Sequence, residues 1–135
     1  VLGDISEPPG SQGPIYRRLG GRIAALADYA VFVGEHFRQY ARGAKRAGMP
    51  ADKLFDAGKS LDKAVAAIRR QLQPGDVVLI KGRNTQRMER ISLVLMGRTV
   101  NCKIVFCNAM GLRCAPCPMR TRGWKPEEVW LSARK

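Results

Sequence analysis

Two groups of residues in this sequence have types and spacings that could do chemistry. The first group follows an apolar run and consists of Lys81, Gly82, Arg83, Asn84, Arg87 and Glu89. Gly82 permits a close approach of another group to the backbone, and the start of the helix predicted next offers free N–H groups to an anion. With its cations, the segment predicts a binding site for a carboxylate or a phosphate. The alternative is an ordinary strand-to-helix turn with a solvated basic face.

The second group is four cysteines with the spacing C-x4-C-x6-C-x2-C, namely Cys102, Cys107, Cys114 and Cys117. Two thiolates two residues apart can face one point, and four sulfurs complete a tetrahedral zinc site. A metal would also stabilise a tail that has few core residues. The spacing therefore predicts a zinc site. Two disulfides, a redox pair formed by the last two cysteines, and an iron–sulfur cluster are the alternatives, and disulfides are disfavoured without a secretory signal.

Three weaker signals lie elsewhere. Asp4 and Glu7 follow the end of a predicted strand, where carboxylates hold a ribose hydroxyl or a cationic group, or simply cap a loop. His36 is the only histidine, and we expect it at a solvated helix start. Gly58-Lys59-Ser60 resembles the end of a phosphate-binding loop but lacks the preceding glycine, so Ser60 is interpreted as a helix N-cap.

The elements that must position these residues alternate between strands and helices. Apolar residues recur at helical spacing in four stretches, which begin near residues 15, 37, 61 and 88. Short apolar runs predict strands at 29–33, 53–56 and 76–82, and 1–4 has the pattern of a strand that ends in a loop. The run 76–82 gives the clearest buried strand. This alternation predicts an α/β fold with a Rossmann-like, mostly parallel sheet flanked by helices.

The character of the chain changes after Gly97. Residues 98–125 contain six cations, no acidic residue and all four cysteines. We therefore predict an α/β domain over 1–97 and a small basic Cys-containing appendage over 98–135, which could carry one strand at 103–106.

Length and composition limit the class of protein. The chain has 135 residues, of which 45% are hydrophobic, and a formal net charge of +13. It contains no apolar run of the roughly 18 residues that a membrane span needs, and no secretory signal pattern. These features favour a cytoplasmic domain with no membrane partner. Because residue 1 is valine, we expect a fragment of a longer protein.

The segments that carry most of this pattern resemble the C-terminal domain of the Mur ligases over about residues 1–97. The branch that adds D-alanyl-D-alanine is the most similar in pattern. The most specific part is the strand-to-helix segment, because the family reads V-L-V-K-G-S-R followed shortly by M-E-R. The matching segments are 1–4, 31–35, 55–56, 61–72, 74–82 and 88–90.

The resemblance implies a three-domain parent enzyme that forms an amide at the expense of ATP, as in peptidoglycan synthesis for the cell wall. The N-terminal domain would bind a UDP-sugar, and the central domain ATP and Mg²⁺. The C-terminal domain would orient the incoming amino acid or dipeptide for attack on an acyl phosphate. This domain would be inactive alone, with the other two domains of the parent chain and an anionic small-molecule substrate as its partners.

Carried over residue by residue, Asp4, the Lys81–Gly82 pair and the Met88–Glu89 pair match positions of the family pattern. Other positions depart from it. Arg83 and Asn84 stand where the family has serine and arginine, two prolines at 8–9 replace leucine and glycine, and the cysteine tail has no counterpart. A Mur-ligase-like paralogue is therefore favoured over the dipeptide-adding enzyme itself.

The positive charge of the chain predicts a second, alternative function. A net charge of +13 and the acid-free stretch 98–125 are typical of a basic zinc-containing module that binds nucleic acid. The tail offers only Phe106 and Trp124 as aromatic platforms for stacking on bases, which is few for single strands. Nucleic acid is therefore the less favoured partner.

Overall fold

The computed structural model describes residues 1–5, 10–109 and 111–124, which form a mixed α/β fold. The helices in this part of the chain are α1 (Gln12–Ala24), α2 (Phe37–Arg46), α3 (Leu61–Gln71), α4 (Glu89–Leu95) and α5 (Met119–Arg122). The strands are β1 (Ala30–Phe32) and β2 (Leu54–Asp56), and two short 3₁₀ turns span Ala51–Lys53 and Asn84–Gln86. The first four helices and both strands confirm the predictions from periodicity. The short helix α5 was not predicted.

The strands run in one direction. β1 and β2 pair in parallel, with Val31 opposite Phe55. Leu2 adds parallel bridges to Phe32 on one side and to Lys81 on the other. Backbone hydrogen bonds thus align four segments in the spatial order β2, β1, Leu2 and Lys81. Parallel neighbours need a crossover connection, and α1, α2 and α3 lie in the connections between successive segments.

Side chains of β1 alternate between two cores. Ala30 and Phe32 point towards α1 and α2, where they pack against Tyr16 and Tyr40. Val31 and Val33 point to the opposite face, where they pack against side chains of α3 and α4. β1 is buried on both faces because helices cover both sides, which explains its short, continuous apolar run.

Helices α1 and α2 pack unusually closely. Gly20 lies against the backbone carbonyl of Tyr40, and Gly43 lies against the backbone carbonyl of Arg17. A Cβ atom at either glycine would overlap with that backbone. The two glycines therefore let the helix backbones touch, and the helix pair forms one rigid layer over β1.

The predicted helix cap at Ser60 is confirmed. Its Oγ accepts a hydrogen bond of 3.2 Å from the backbone N–H of Lys63 in the first turn of α3. Such a cap satisfies one of the free donors at a helix start. Among the described residues no helix is both long enough and apolar enough to cross a membrane.

The prediction of a buried strand over 76–82 is wrong in its burial. Only Lys81 makes a bridge, and Val77 and Leu79 are 94% and 72% exposed. Val78 and Ile80 pack on the core beneath α3 and α4, so one face of the segment is covered. The other face, which carries Val77 and Leu79, lies on the side of α1 and α2. It is exposed because these two helices pack on the core around β1.

The strand predicted at 103–106 is also wrong. Within the part of the chain that the structure describes, this segment forms no β-ladder. Its main anchor is a side chain, beside one backbone hydrogen bond of 3.0 Å from Lys103 to the carbonyl of Trp124. The guanidinium of Arg90 donates to the carbonyls of Ile104, at 2.7 Å, and of Cys102, at 3.0 Å. Lys103 forms an ion pair of 2.6 Å with Asp62 at the start of α3. The appendage therefore packs on the face formed by α3 and α4.

Candidate functional site

The four parallel segments end at one edge of the molecule. Beyond their carboxyl ends lie Asp4, Gly34, Gly58 and Arg83, and hydrogen bonds join these turns directly. The N–H of Gly34 donates to the carbonyl of Gly58 at 2.7 Å, and the N–H of Arg83 donates to the carbonyl of Asp4 at 3.0 Å. Open parallel sheets bind their ligands at this edge, at the place where the connections that follow two adjacent strands run in opposite directions. In this chain that place lies between the segments of Leu2 and Lys81.

Gln86 fills the space between these two segments. Its Oε1 accepts from the N–H of Asp4 at 2.9 Å and from the N–H of Arg83 at 3.3 Å. Its Nε2 donates to the carbonyl of Val33 at 3.1 Å. Gly3 and Gly82 provide the room, since a Cβ at Gly82 would lie 3.0 Å from Oε1 of Gln86. One buried amide therefore joins the ends of three segments.

Asp4 is held by two side chains at the edge of the cleft. Its Oδ1 lies 3.0 Å from Nδ1 of His36, and its Oδ2 accepts from Nε2 of Gln86 at 3.3 Å. The ring of His36 stacks on Tyr16 with a centroid distance of 4.0 Å. Buried Tyr40 donates to the carbonyl of Gly3 at 3.1 Å, and burial raises its pKa. The carboxylate is thus fixed in place by aromatic and amide neighbours.

A cleft of about 220 Å³ opens beside Asp4 and contains charges of both signs. Glu35 forms an ion pair of 2.5 Å with Lys59. The hydrogen bond from Lys59 lowers the pKa of Glu35, and the same bond raises the pKa of Lys59. Across the cleft, the guanidinium of Arg83 lies 5.9 Å from the ring centroid of Phe106. Its buried Nε has no hydrogen-bond partner among the described residues.

A larger cleft of about 560 Å³ lies between the start of α3 and residues 100–105. Cys102 and Lys103 line it together with Ser60 and Asp62. It is more apolar in character, and it adjoins the smaller cleft, since Lys59 and Arg90 line both. The smaller cleft is the better candidate site, because residues that follow the carboxyl ends of all four parallel segments line it, namely Asp4, Gly34, Lys59 and Arg83.

The residues predicted for the substrate site do not all lie at the small cleft. Asp4 and Arg83 line the small cleft, and Gly82 lies beside it against Gln86. Lys81 is exposed and does not line the cleft. Asn84 lies in the 3₁₀ turn and accepts a hydrogen bond of 3.3 Å from Arg87.

Arg87 and Glu89 face the appendage. Arg87 is 6% exposed, adopts a left-handed backbone conformation with φ of 49°, and donates to the carbonyl of Ala109. Glu89 accepts from the N–H of Cys114 at 2.6 Å through its Oε1. These two side chains thus hold Ala109 and Cys114 in place, and neither of them lines the cleft.

Sequence reasoning missed several residues of the site. Gln86, Glu35, Lys59 and Phe106 were not predicted as site residues. Glu35 and Lys59 could have been found, because each follows closely on a predicted strand and so belongs at the same sheet edge. His36 is not the solvated residue that we expected, since it is half-buried and bound to Asp4. The candidate residue Glu7 and the prolines at 8–9 lie outside the described residues.

The four cysteines are free thiols of intermediate exposure. Within the ranges that the structure describes, no group of three or more His, Cys, Asp or Glu side chains is arranged to hold a metal ion. The four cysteines as placed do not form a ligand set for zinc. The zinc site stays a prediction.

Elemental analysis of the purified protein tests the predicted zinc site. Stoichiometric zinc that is lost in Cys114→Ser would support it, and zinc-free protein would count against it.

Cys114 should react slowly with alkylating reagents. Burial, followed by the neighbouring carboxylate of Glu89, raises the pKa of this thiol to about 12. Because the thiolate is the nucleophile, a thiol with a raised pKa stays protonated and unreactive at mildly alkaline pH. We expect alkylation of Cys114 at pH ~8 to be at least about tenfold slower than that of an unfolded peptide of the same sequence. Peptide mapping by mass spectrometry measures this rate at the single cysteine.

The matched variant is Glu89→Gln, which removes the negative charge and leaves an oxygen that can accept from Cys114. The alkylation rate of Cys114 should then rise several-fold. An unchanged rate would show that burial alone controls this thiol.

Comparison of the chain with protein-family models, with curated proteins and with solved structures found no match.

Proposed function

We propose that this chain is the C-terminal, substrate-orienting domain of a Mur-type ATP-dependent amide ligase, in a paralogue with a cysteine-containing appendage. The spatial order of the parallel segments supports a Rossmann-like sheet, because the order third, second, first, fourth is that of the first four strands of that fold. The sequence resemblance over residues 1–97 supports the family. The N-terminal and central domains of the parent chain are its proposed partners.

The cleft carries the proposal, since its charges complement an amino acid or a dipeptide. Such a substrate presents an ammonium group at one end and a carboxylate at the other. Asp4, which His36 and Gln86 hold in place, supplies the negative charge for the ammonium group. Arg83 lines the cleft and supplies a guanidinium for the carboxylate, and its Nε has no hydrogen-bond partner in the described part of the chain. Phe106 gives the cleft an apolar wall beside Arg83.

Orientation is the contribution that these residues make to the reaction. Holding an amine close to its electrophile in one geometry replaces a bimolecular encounter and lowers the barrier by several kcal/mol. Gln86 is a positioning residue here, since it fixes Asp4 and Arg83 through their backbone N–H groups. His36 holds the carboxylate of Asp4 in a single orientation.

ATP and Mg²⁺ are assigned to the central domain of the parent enzyme, where they would generate the acyl phosphate. The described residues fit neither group. They contain no phosphate-binding loop, and no cluster of acidic, histidine or cysteine side chains suited to a metal ion. We therefore expect no ATP-dependent ligation by this chain alone.

Calorimetry with the 135-residue chain tests the proposal. Titration with D-alanyl-D-alanine and with a panel of free amino acids should give saturable binding of at least one ligand. Arg83→Ala should weaken that binding about tenfold, the loss expected for one charge-assisted hydrogen bond. Arg98→Ala removes an exposed arginine away from the cleft and should leave the affinity unchanged.

Two results would contradict the proposal. The first is the absence of saturable binding of any of these ligands to folded protein. The second is equal weakening by Arg83→Ala and Arg98→Ala, since the binding would then depend on net charge and not on the cleft. Turnover of ATP by the isolated chain would separately contradict the assignment of catalysis to the other domains.

A further inference from the structure

The helix pair α1–α2 carries an uncompensated positive charge. Its two helices contain seven cations and no acidic residue, namely Arg17, Arg18, Arg22, Arg38, Arg42, Lys45 and Arg46. The ion pairs formed by the described residues are Asp4–His36, Glu35–Lys59 and Asp62–Lys103. None of them involves a cation of these two helices. The charge therefore faces solvent without a partner from the described part of the chain.

The four cations of α2 form one stripe. Arg38, Arg42, Lys45 and Arg46 are separated by four, three and one residues, which places them within about a third of the helix circumference. All four are exposed. The buried residues of α2, which include Tyr40 and Ala44, lie on the opposite side. At 1.5 Å per residue the stripe is about 12 Å long.

The fold holds this stripe rigidly and adds to it. Gly43 of α2 lies against the carbonyl of Arg17, so this residue of α1 sits beside the stripe. Like charges at i and i+4, such as Arg38 with Arg42, destabilise an isolated helix. Burial of the opposite side against β1 keeps α2 formed in spite of that repulsion. A linear anion laid along the stripe would remove the repulsion.

The composition of the stripe fits phosphate. Arginine predominates, and its guanidinium donates paired hydrogen bonds to phosphate oxygens. The aromatic rings of the helix pair do not form a stacking platform, since Tyr16 and Tyr40 are buried and Phe37 packs on Phe32. Single-strand binding needs such platforms. The stripe therefore fits the backbone of a duplex, which presents about seven phosphate charges over 12 Å.

A membrane surface is the less suitable partner. An amphipathic helix binds a bilayer by inserting its apolar side. The apolar side of α2 is packed against α1 and β1, so it is not free to insert.

We infer that the α1–α2 face is a binding surface for the phosphate backbone of duplex nucleic acid, without base specificity. The surface lies on the side of the sheet opposite α3, α4 and the appendage. It is thus distinct from the candidate substrate cleft and does not depend on the cysteine tail.

Two charge-matched variants of the whole chain test the inference. The stripe variant carries Arg38→Gln, Arg42→Gln, Lys45→Gln and Arg46→Gln. The control variant carries Lys53→Gln, Lys63→Gln, Arg70→Gln and Arg98→Gln. All four are exposed residues outside the helix pair, and their side chains make no ion pair with another described residue. Each variant removes four charges from the net charge of +13. Circular dichroism verifies that both are folded.

Fluorescence anisotropy with a labelled duplex of about 20 base pairs gives the affinity between about 50 mM and about 200 mM salt. We expect wild type to bind with a steep salt dependence. The stripe variant should lose at least about tenfold in affinity, and its slope of log K against log salt should be less steep by about three to four, since each neutralised phosphate contributes about 0.9. The control variant should keep most of the slope.

Three outcomes would overturn the inference. They are no binding of wild type to the duplex at low salt, equal losses in the two variants, and binding to poly-glutamate or to vesicles containing phosphatidylserine that is as tight as binding to the duplex. The calorimetric test of the cleft uses a different ligand and different variants, so failure of either proposal leaves the other standing.

Discussion

Replacement of Gly20 by alanine should lower the free energy of unfolding by about 3 kcal/mol. The new Cβ would overlap with the backbone carbonyl of Tyr40 and come within 3.0 Å of the backbone N of Ala44. Neither atom can move away as a flexible side chain could. Helices α1 and α2 would have to separate, which opens the core around Phe32.

Gly21→Ala is the matched control, because it lies on the same helix. A Cβ at Gly21 would lie 3.8 Å from the nearest atom outside its own helix, which is ordinary van der Waals contact. Since alanine favours helix over glycine, this variant should be neutral or more stable by up to about 1 kcal/mol. Urea unfolding followed by circular dichroism measures both. Similar stability of the two variants would contradict the close backbone contact.

Arg90→Leu is expected to lower the free energy of unfolding by at least about 3 kcal/mol and to release the appendage. Arg90 is 2% exposed and donates to the carbonyls of Gln86, Arg87, Cys102 and Ile104. Leucine would fill much of the volume but would leave the carbonyls of Gln86, Cys102 and Ile104 without this donor. The carbonyl of Arg87 would keep the backbone N–H of residue 90, at 3.1 Å. Each buried acceptor without a partner costs about 1–3 kcal/mol, less where water can enter.

Hydrogen exchange separates release of the appendage from general unfolding. The N–H of Cys107 donates to the carbonyl of Thr85 at 2.8 Å, so its protection reports the docking of residues 102–107. Arg90→Leu should remove that protection while the amides of α3 remain protected. Arg90→Lys keeps the charge but loses the planar set of donors, and it should also destabilise the segment. Arg98→Leu, at an exposed arginine, should change nothing. Unchanged protection of Cys107 in Arg90→Leu would contradict this role.

Arg90 also connects the appendage to the candidate site. It lines both clefts, and the segment that it holds continues to Phe106, which lies beside Arg83. Loss of Arg90 should therefore alter the apolar wall of the small cleft. The tail, which the sequence presents as a separate appendage, contributes directly to the surroundings of the proposed substrate.

Local patterns along the chain predicted the elements well. The spacing of Leu61, Val65 and Ile68, with Ser60 before them, is enough to specify α3 and its cap. Helical periodicity and capping depend on residues within four positions of each other, so a single sequence contains the whole signal. The short buried run of β1 was predicted for the same reason.

The site could be predicted only in part. Asp4 and Arg83 follow strand ends, and parallel strands bring such positions to one edge. Gln86 was missed because its partner Asp4 is 82 residues away, and nothing near it in the sequence marks an amide that joins segments. Arg87 was assigned to the substrate because of its charge, and Glu89 because it matches the family pattern. Both side chains contact residues of the appendage, and Arg87 has a left-handed backbone conformation that the sequence does not signal.

The sequence by itself determined the alternation of helices and strands, the cap at Ser60 and the excess of positive charge. Tertiary structure decided where that charge lies and which groups meet. It places Glu35 and Lys59 beside Asp4, buries Arg90 against backbone carbonyls, and leaves the cations of α2 in one exposed stripe. The physical reason is that periodicity is a property of neighbours in the chain. The meeting of groups depends on strand register and on close contacts such as Gly20 with Tyr40, which join residues far apart in sequence.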